Sequence, residues 1–150
     1  MPGLNKLIYK GNYWPEKIVS VHDEKVLSWL ENHLFLITLG PRDVEYSVLD
    51  NTNVTYDNAL ALKEASEECW DSILKFDLKN LGCYFKKSFE AQIKMFPNMV
   101  FDKIFKIIDK YKDMAYGWKL SGAGGGGYII FVSDKYIEGS IQIKIRRKSQ

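Results

Sequence analysis

The chain is poor in the residues that usually announce a chemistry. It has two cysteines, two histidines and four prolines in 150 residues. Cys69 and Cys83 make no CxxC pair, which excludes a disulfide scaffold and fits reduced, helix-packing thiols in a cytoplasmic protein. His22 and His33 have no partnered His, Cys or carboxylate spacing, so capping or surface roles are expected and no metal site. No apolar run approaches the ~18 residues that a membrane helix needs. Met1 to Tyr9 lacks the charged lead and apolar core of a signal peptide, so a soluble protein is expected. Excess charge is missing too: 21 basic residues against 19 acidic ones, spread along the chain, produce no strong general field for nucleic acid or a membrane. Only Lys144, Arg146, Arg147 and Lys148 cluster, without the aromatic pattern of a nucleic-acid-binding strand.

What is present suits one folded domain over residues 1–150, with 46% hydrophobic residues to build a core. Leu4 to Lys10 reads as a strand ended by Gly11-Asn12, and Ile18, Val19 and Val21 as a second. Asp23 is placed to cap a short helix carrying Val26, Leu27 and Leu30. Leu34 to Leu39 is continuous, apolar and short, as a central strand buried on both faces would be, and Gly40-Pro41 stops it. Arg42 to Asn53 is polar and irregular. Leu62, Ala65, Cys69, Ile73 and Phe76 then recur at helical steps; Asp77 can close that helix and cap the next, whose apolar face runs from Leu78 to Phe96 before Pro97. Asn98 is expected to cap a third helix with two apolar rows, Val100, Ile104, Ile107 and Tyr111 beside Phe101, Phe105 and Ile108, a width that suggests a sandwiched helix with Lys103, Lys106, Lys110 and Lys112 outward. Strands are expected near Tyr116 to Leu120, at Tyr128 to Val132, and at the end, where Ile141, Ile143 and Ile145 alternate with polar residues. Strands, helices, strands is the order of an α+β fold, a mainly antiparallel sheet with helices packed on one side.

Five of the nine residues from Lys119 to Gly127 are glycine. Glycine loses the most conformational entropy on folding, so such a run is retained where backbone takes positive φ or is closely approached. Gly122-x-Gly124-x-x-Gly127 matches a dinucleotide fingerprint only formally, because Tyr128-Ile129-Ile130-Phe131-Val132 reads as a strand where a helix is required. A Walker loop fails as well, since Tyr128 and Ile129 replace its Lys and Ser/Thr. The remaining readings are a glycine-rich hairpin with no ligand and a loop placed beside one.

Gly117-Trp118-Lys119-Leu120-Ser121-Gly122-Ala123-Gly124-Gly125-Gly126-Gly127-Tyr128 resembles the third motif of the GHMP kinase superfamily, which includes galactokinases, mevalonate kinases and heptose kinases. Trp70, the segment Phe89 to Pro97 and the motif together look most similar to the heptose and fucose branch. The resemblance implies a ferredoxin-like C-terminal domain and transfer of the ATP γ-phosphoryl group, with Mg²⁺, to a sugar hydroxyl. It implies phosphate or substrate binding by Lys119, Ser121, Gly122, Ala123, Gly124, Gly125, Gly126 and Gly127. Arg42, following the central strand, is a candidate substrate contact or a solvated surface residue. The family's Pro-x-x-x-Gly-Leu-Gly-Ser-Ser loop and its aspartate have no counterpart in residues 1–150. No catalytic residue is therefore expected in this chain; an N-terminal GHMP kinase domain is expected as partner, and the chain alone is expected to be inactive. Without that partner an apolar patch would be open, and a homodimer of the chain is a further expectation. The rival expectation is a non-enzymatic ferredoxin-like ligand-binding or assembly module.

Overall fold

The computed structural model describes residues 1–42 and 47–148. Two antiparallel sheets are present. The hairpin of β1 (Leu4–Ile8) and β2 (Lys17–Val21) forms one by itself; the other has the order β4-β5-β3-β6, built from β3 (Leu34–Gly40), β4 (Gly117–Ser121), β5 (Gly127–Val132) and β6 (Ile141–Gln142). Between them run α1 (Glu24–His33), α2 (Tyr56–Leu74), α3 (Leu78–Met95) and α4 (Asp102–Tyr111). The α+β class and the antiparallel sheet are as expected. No helix among the described residues is long and apolar enough to cross a membrane.

The helix starts follow their side-chain caps. Asp23 accepts from the Lys25 and Val26 amides, Thr55 from Asn58, and Asp77 from Asn80, each satisfying amides that the first turn leaves without partners. Asn98 departs from expectation. It lies in a 3-10 turn, Pro97–Met99, and donates its side-chain amide to the Ser47 carbonyl at 3.2 Å, while α4 starts at Asp102 with Phe101 as an N-cap that offers no side-chain bond. The end of α2 differs as well. Phe76 is not on the helical stripe; at φ 57° it closes a Schellman motif, with its own amide on Ile73 O and that of Asp77 on Ser72 O, and its ring meets Trp29 edge-on at 5.6 Å.

Burial is organised more finely than a single helical layer. Alternate residues of the strands supply two clusters. Phe35, Ile37, Leu39, Leu120, Ile129 and Phe131 join Ile104, Ile108 and Tyr111 of α4, with Phe89, Met99 and Ile137. Leu34 and Val132 join Val26 and Leu30 of α1, Ile73 of α2 and Leu81 and Phe85 of α3. β3 is closed on both faces only at its start: Leu34 and Phe35 are buried, whereas Thr38 is exposed. Nor is α4 sandwiched. Ile104 is fully buried, but in the second row only Ile108 is covered, Phe101 and Phe105 being 37% and 44% exposed.

The expected last strand shrinks to Ile141–Gln142. Beyond it the chain leaves the sheet edge and is held by α1 instead. Glu31 Oε1 accepts from the Ile145 amide and from Arg147 Nη1, both at 2.6 Å, while Ile143 and Ile145 pack against the second cluster. The alternation does mark one apolar face; its hydrogen bonds go to a side chain and to the Gly3 amide, which donates to Arg146 O, rather than to a neighbouring strand. Residues 43–46 of the expected irregular stretch lie outside the described residues.

Candidate functional site

The site is assembled where β3 ends. The pairing of β3 with β5 shifts between Thr38 and Gly40, so that Gly40 comes opposite Gly127. Such an irregularity bends a strand and redirects the chain beyond it. Gly40 takes φ 94°, and the chain turns through Pro41 to Arg42 beside the glycine run. There Arg42 donates from Nε to the Gly124 carbonyl at 2.8 Å, and a Cβ on Gly126 would stand 2.8 Å from the Arg42 amide nitrogen. From the other side comes the 3-10 turn: Gly125 donates its amide to Met99 O at 3.1 Å, and a Cβ on Gly124 would sit 2.6 Å from that same oxygen.

The five glycines thus divide by physical cause. Gly122, Gly124, Gly125 and Gly127 have φ of 74°, 73°, 69° and 78°, in the region that costs other L-residues about 1–2 kcal/mol each. Gly126 does not, but it has no room for a side chain. Around Gly122 and Gly127 nothing lies within 4 Å of a built Cβ, so at those two positions the conformation alone selects glycine and the space beyond is open.

A cavity of about 390 Å³ opens next to the loop. Residues 39–41 and Gly125 form one side, and Asn98, Val100, Phe101 and Lys103 the other. The volume lies within the range of small-molecule sites. Lys103 is exposed, as its spacing suggests, and in addition donates to the Leu39 carbonyl at 2.7 Å and lines this cavity. Sequence reasoning missed it because it shares the wet-face spacing of Lys106 and Lys110; only the bulge in β3, invisible in composition, brings the Leu39 carbonyl to it.

The other expected site residues occupy the turn and the strand before it. Ser121 ends β4, partly buried, and Gly122 and Ala123 form the turn after it, Gly122 exposed. Lys119 turns toward α3: its ammonium lies 3.0 Å from Ser88 Oγ and 5.8 Å from the Phe85 ring centre. Burial pushes its pKa below the ordinary lysine value, and burial likewise raises the Cys69 thiol to about 11, against the opposing charge of Lys119. Cys69 is accordingly a poor nucleophile. Larger hollows lie elsewhere, one of about 630 Å³ between α2 and α3 and one of about 490 Å³ between β1 and α2, neither lined by any residue of the glycine run.

No protein-family model matches this chain, and no curated protein matches it either. Solved structures do. Mevalonate kinase from Methanococcus jannaschii superposes over 78% of this chain at 23% identity with a TM-score of 0.50. The fold is that of a GHMP kinase C-terminal domain. Another mevalonate kinase structure (24% identity, 78% of this chain, TM-score 0.49) and a Campylobacter jejuni chain assigned as a sugar kinase (20%, 79%, 0.48) are also similar. This chain spans 37%, 37% and 31% of those three chains, respectively.

Proposed function

We propose that this chain is the substrate-side domain of an ATP-dependent sugar kinase, which transfers the γ-phosphoryl group of ATP to a sugar hydroxyl. The observation that carries the reading is the loop: four left-handed glycines fixed between Met99 and Arg42, with open space above Gly122 and Gly127. Phosphoryl transfer depends mainly on positioning and on charge stabilisation. A glycine-rich loop with few Cβ atoms, braced from both sides, is suited to lie against a phosphate-binding loop without reorganising.

That phosphate loop and the aspartate that orients the hydroxyl are supplied, in this reading, by a second domain, which packs on the loop. Among the described residues no three His, Cys, Asp or Glu side chains come together as a metal site, and no step is assigned to Mg²⁺ here. The chain contributes the acceptor cavity beside Gly125 and the backing loop. The isolated chain should release no ADP from ATP with any hexose or heptose, whereas the chain joined to a phosphate-loop domain should phosphorylate at least one of them. Turnover by the isolated chain, or none by the joined protein across a full sugar panel, would refute the reading.

One observation favours the second reading, a binding or assembly module with no chemistry. The loop's glycines are all accounted for by contacts and torsions within the chain. On that reading the joined protein binds sugar without phosphorylating it. The nucleic-acid alternative weakens further: Arg147 is engaged by Glu24 and Glu31, and Lys144 lies 3.6 Å from Glu31.

A further inference from the structure

Among the described residues, the cavity beside the glycine run has one charged side chain in its wall, that of Lys103, and the rest is apolar, backbone or amide. We propose that Lys103 binds an oxyanion of the ligand, phosphate or carboxylate, and so decides which ligands the cavity accepts. Three features carry this. A lysine ammonium has three donors, and Leu39 O takes one of them at 2.7 Å, which fixes the group in place and leaves donors for a ligand. Gly40, at φ 94°, brings bare backbone beside the ammonium; a Cβ built there would be in ordinary contact with Lys103 Nζ, at 3.8 Å. The wall next to it is complementary to the remainder of a small ligand: Phe101 supplies an aromatic surface, and Asn98, held through its side-chain nitrogen by Ser47 O, has its side-chain oxygen to accept from a hydroxyl. Asp102, next to Lys103 in sequence, is not among the described residues that line the cavity.

The oxyanion has two sources consistent with this chemistry, the phosphate chain of a nucleotide or an acidic group on the acceptor. The choice between them rests on the kinase reading; the binding itself does not. An amide-resolved NMR titration of the 150-residue chain separates them, with inorganic tripolyphosphate, ATP, a hexose 6-phosphate and the unphosphorylated hexose as probes. At least one anionic probe should shift Gly125 and Lys103, and the neutral hexose should bind at least about tenfold more weakly. Shifts with tripolyphosphate and ATP assign the nucleotide; shifts with the hexose phosphate alone assign the acceptor.

Lys103→Met should weaken that binding at least about tenfold, and Lys103→Arg should retain most of it. Circular dichroism of both variants separates lost binding from lost fold, since each also alters the bond to Leu39 O; should Met unfold the chain, Lys103→Gln serves in its place. The proposal is overturned if no probe shifts Gly125 at millimolar concentration, if a folded charge-free variant binds as the parent does, or if shifts confine themselves to Lys106, Lys110 and the basic tail. Turnover by the joined protein is a separate readout: anion binding without turnover sinks the kinase reading alone, and a Lys103→Met enzyme with unchanged KM for every substrate sinks this one alone.

Discussion

β4 is held by glycine at both ends, and for different reasons. At its start, Gly117 lies directly against Gly82 of α3; a Cβ on Gly117 would overlap the Gly82 carbonyl, and one on Gly82 would overlap Tyr116. Neither residue has positive φ. At its far end the run from Gly122 to Gly127 is mostly left-handed, and two of its members face open space. The first pair is a helix–strand lock that serves packing. The second group holds an irregular backbone in one shape next to a cavity, an arrangement that costs stability and is kept where something must approach. The same residue type therefore reports close packing at one end and a prepared surface at the other, and substitutions should tell them apart.

The largest effect is expected at the lock. Gly117→Ala should destabilise by about 3 kcal/mol or more, because backbone rather than a flexible side-chain tip meets the new methyl and α3 must lift from β4. Chemical denaturation measures it; a loss below about 1 kcal/mol would show that the helix shifts freely. Gly124→Ala comes next, at about 2–4 kcal/mol, combining left-handed strain with the contact on Met99 O. Gly122→Ala should cost only the strain, about 1–2 kcal/mol, since its Cβ meets nothing in the chain. If Gly122 and Gly124 proved equally costly, the bracing by Met99 would be irrelevant.

A smaller, conditional effect is expected at the tail. Glu31 is 4% exposed, and its hydrogen bond from Arg147, with that from the Ile145 amide, holds its pKa below the ordinary 4.5; Glu24, bound by the same guanidinium, is lowered to about 2. Carboxylates with lowered folded-state pKa contribute stability fully above the unfolded value, and that contribution is lost as pH falls through the folded one. Stability should thus decline from about pH 4.5 toward pH 2, and Glu31→Gln should flatten that part of the profile in acid thermal melts. An unchanged acid profile in the variant would mean that Glu31 does not hold the tail, which Glu24, the Gly3 amide and the packing of Ile143 and Ile145 would then secure.

Much of this fold was readable because local signals agreed with one another. Asp23 and Asp77 each stand before an apolar helical stripe, and each caps the helix it precedes. The unreadable parts have physical reasons. Asn98 has the right chemistry for a cap, but it lies inside the 3-10 turn Pro97–Met99, and α4 starts only at Asp102. The period-two pattern of Ile141, Ile143 and Ile145 reports an apolar face, not a hydrogen-bonding partner, and Glu31 from α1 takes the bonds a strand would have made. Of the site, the glycine run was plain in the sequence, as was Arg42 at the end of β3. Lys103 was not, since its role depends on a bulge in β3 that composition does not encode. Lys119, adjacent in sequence to the run, points to Ser88 because alternation along β4 puts it on the α3 side.

The run from Ser121 to Gly127 is, on this account, kept for the group that approaches it. The most direct measurement is kcat for phosphoryl transfer by the chain joined to a phosphate-loop domain, with Gly122 or with Gly122→Ala. Gly122 is exposed and its Cβ has no neighbour within the chain, so the variant should remain folded at about 25 °C while kcat falls at least about tenfold. A folded Gly122→Ala protein with full kcat would contradict the account and leave the loop as packing alone.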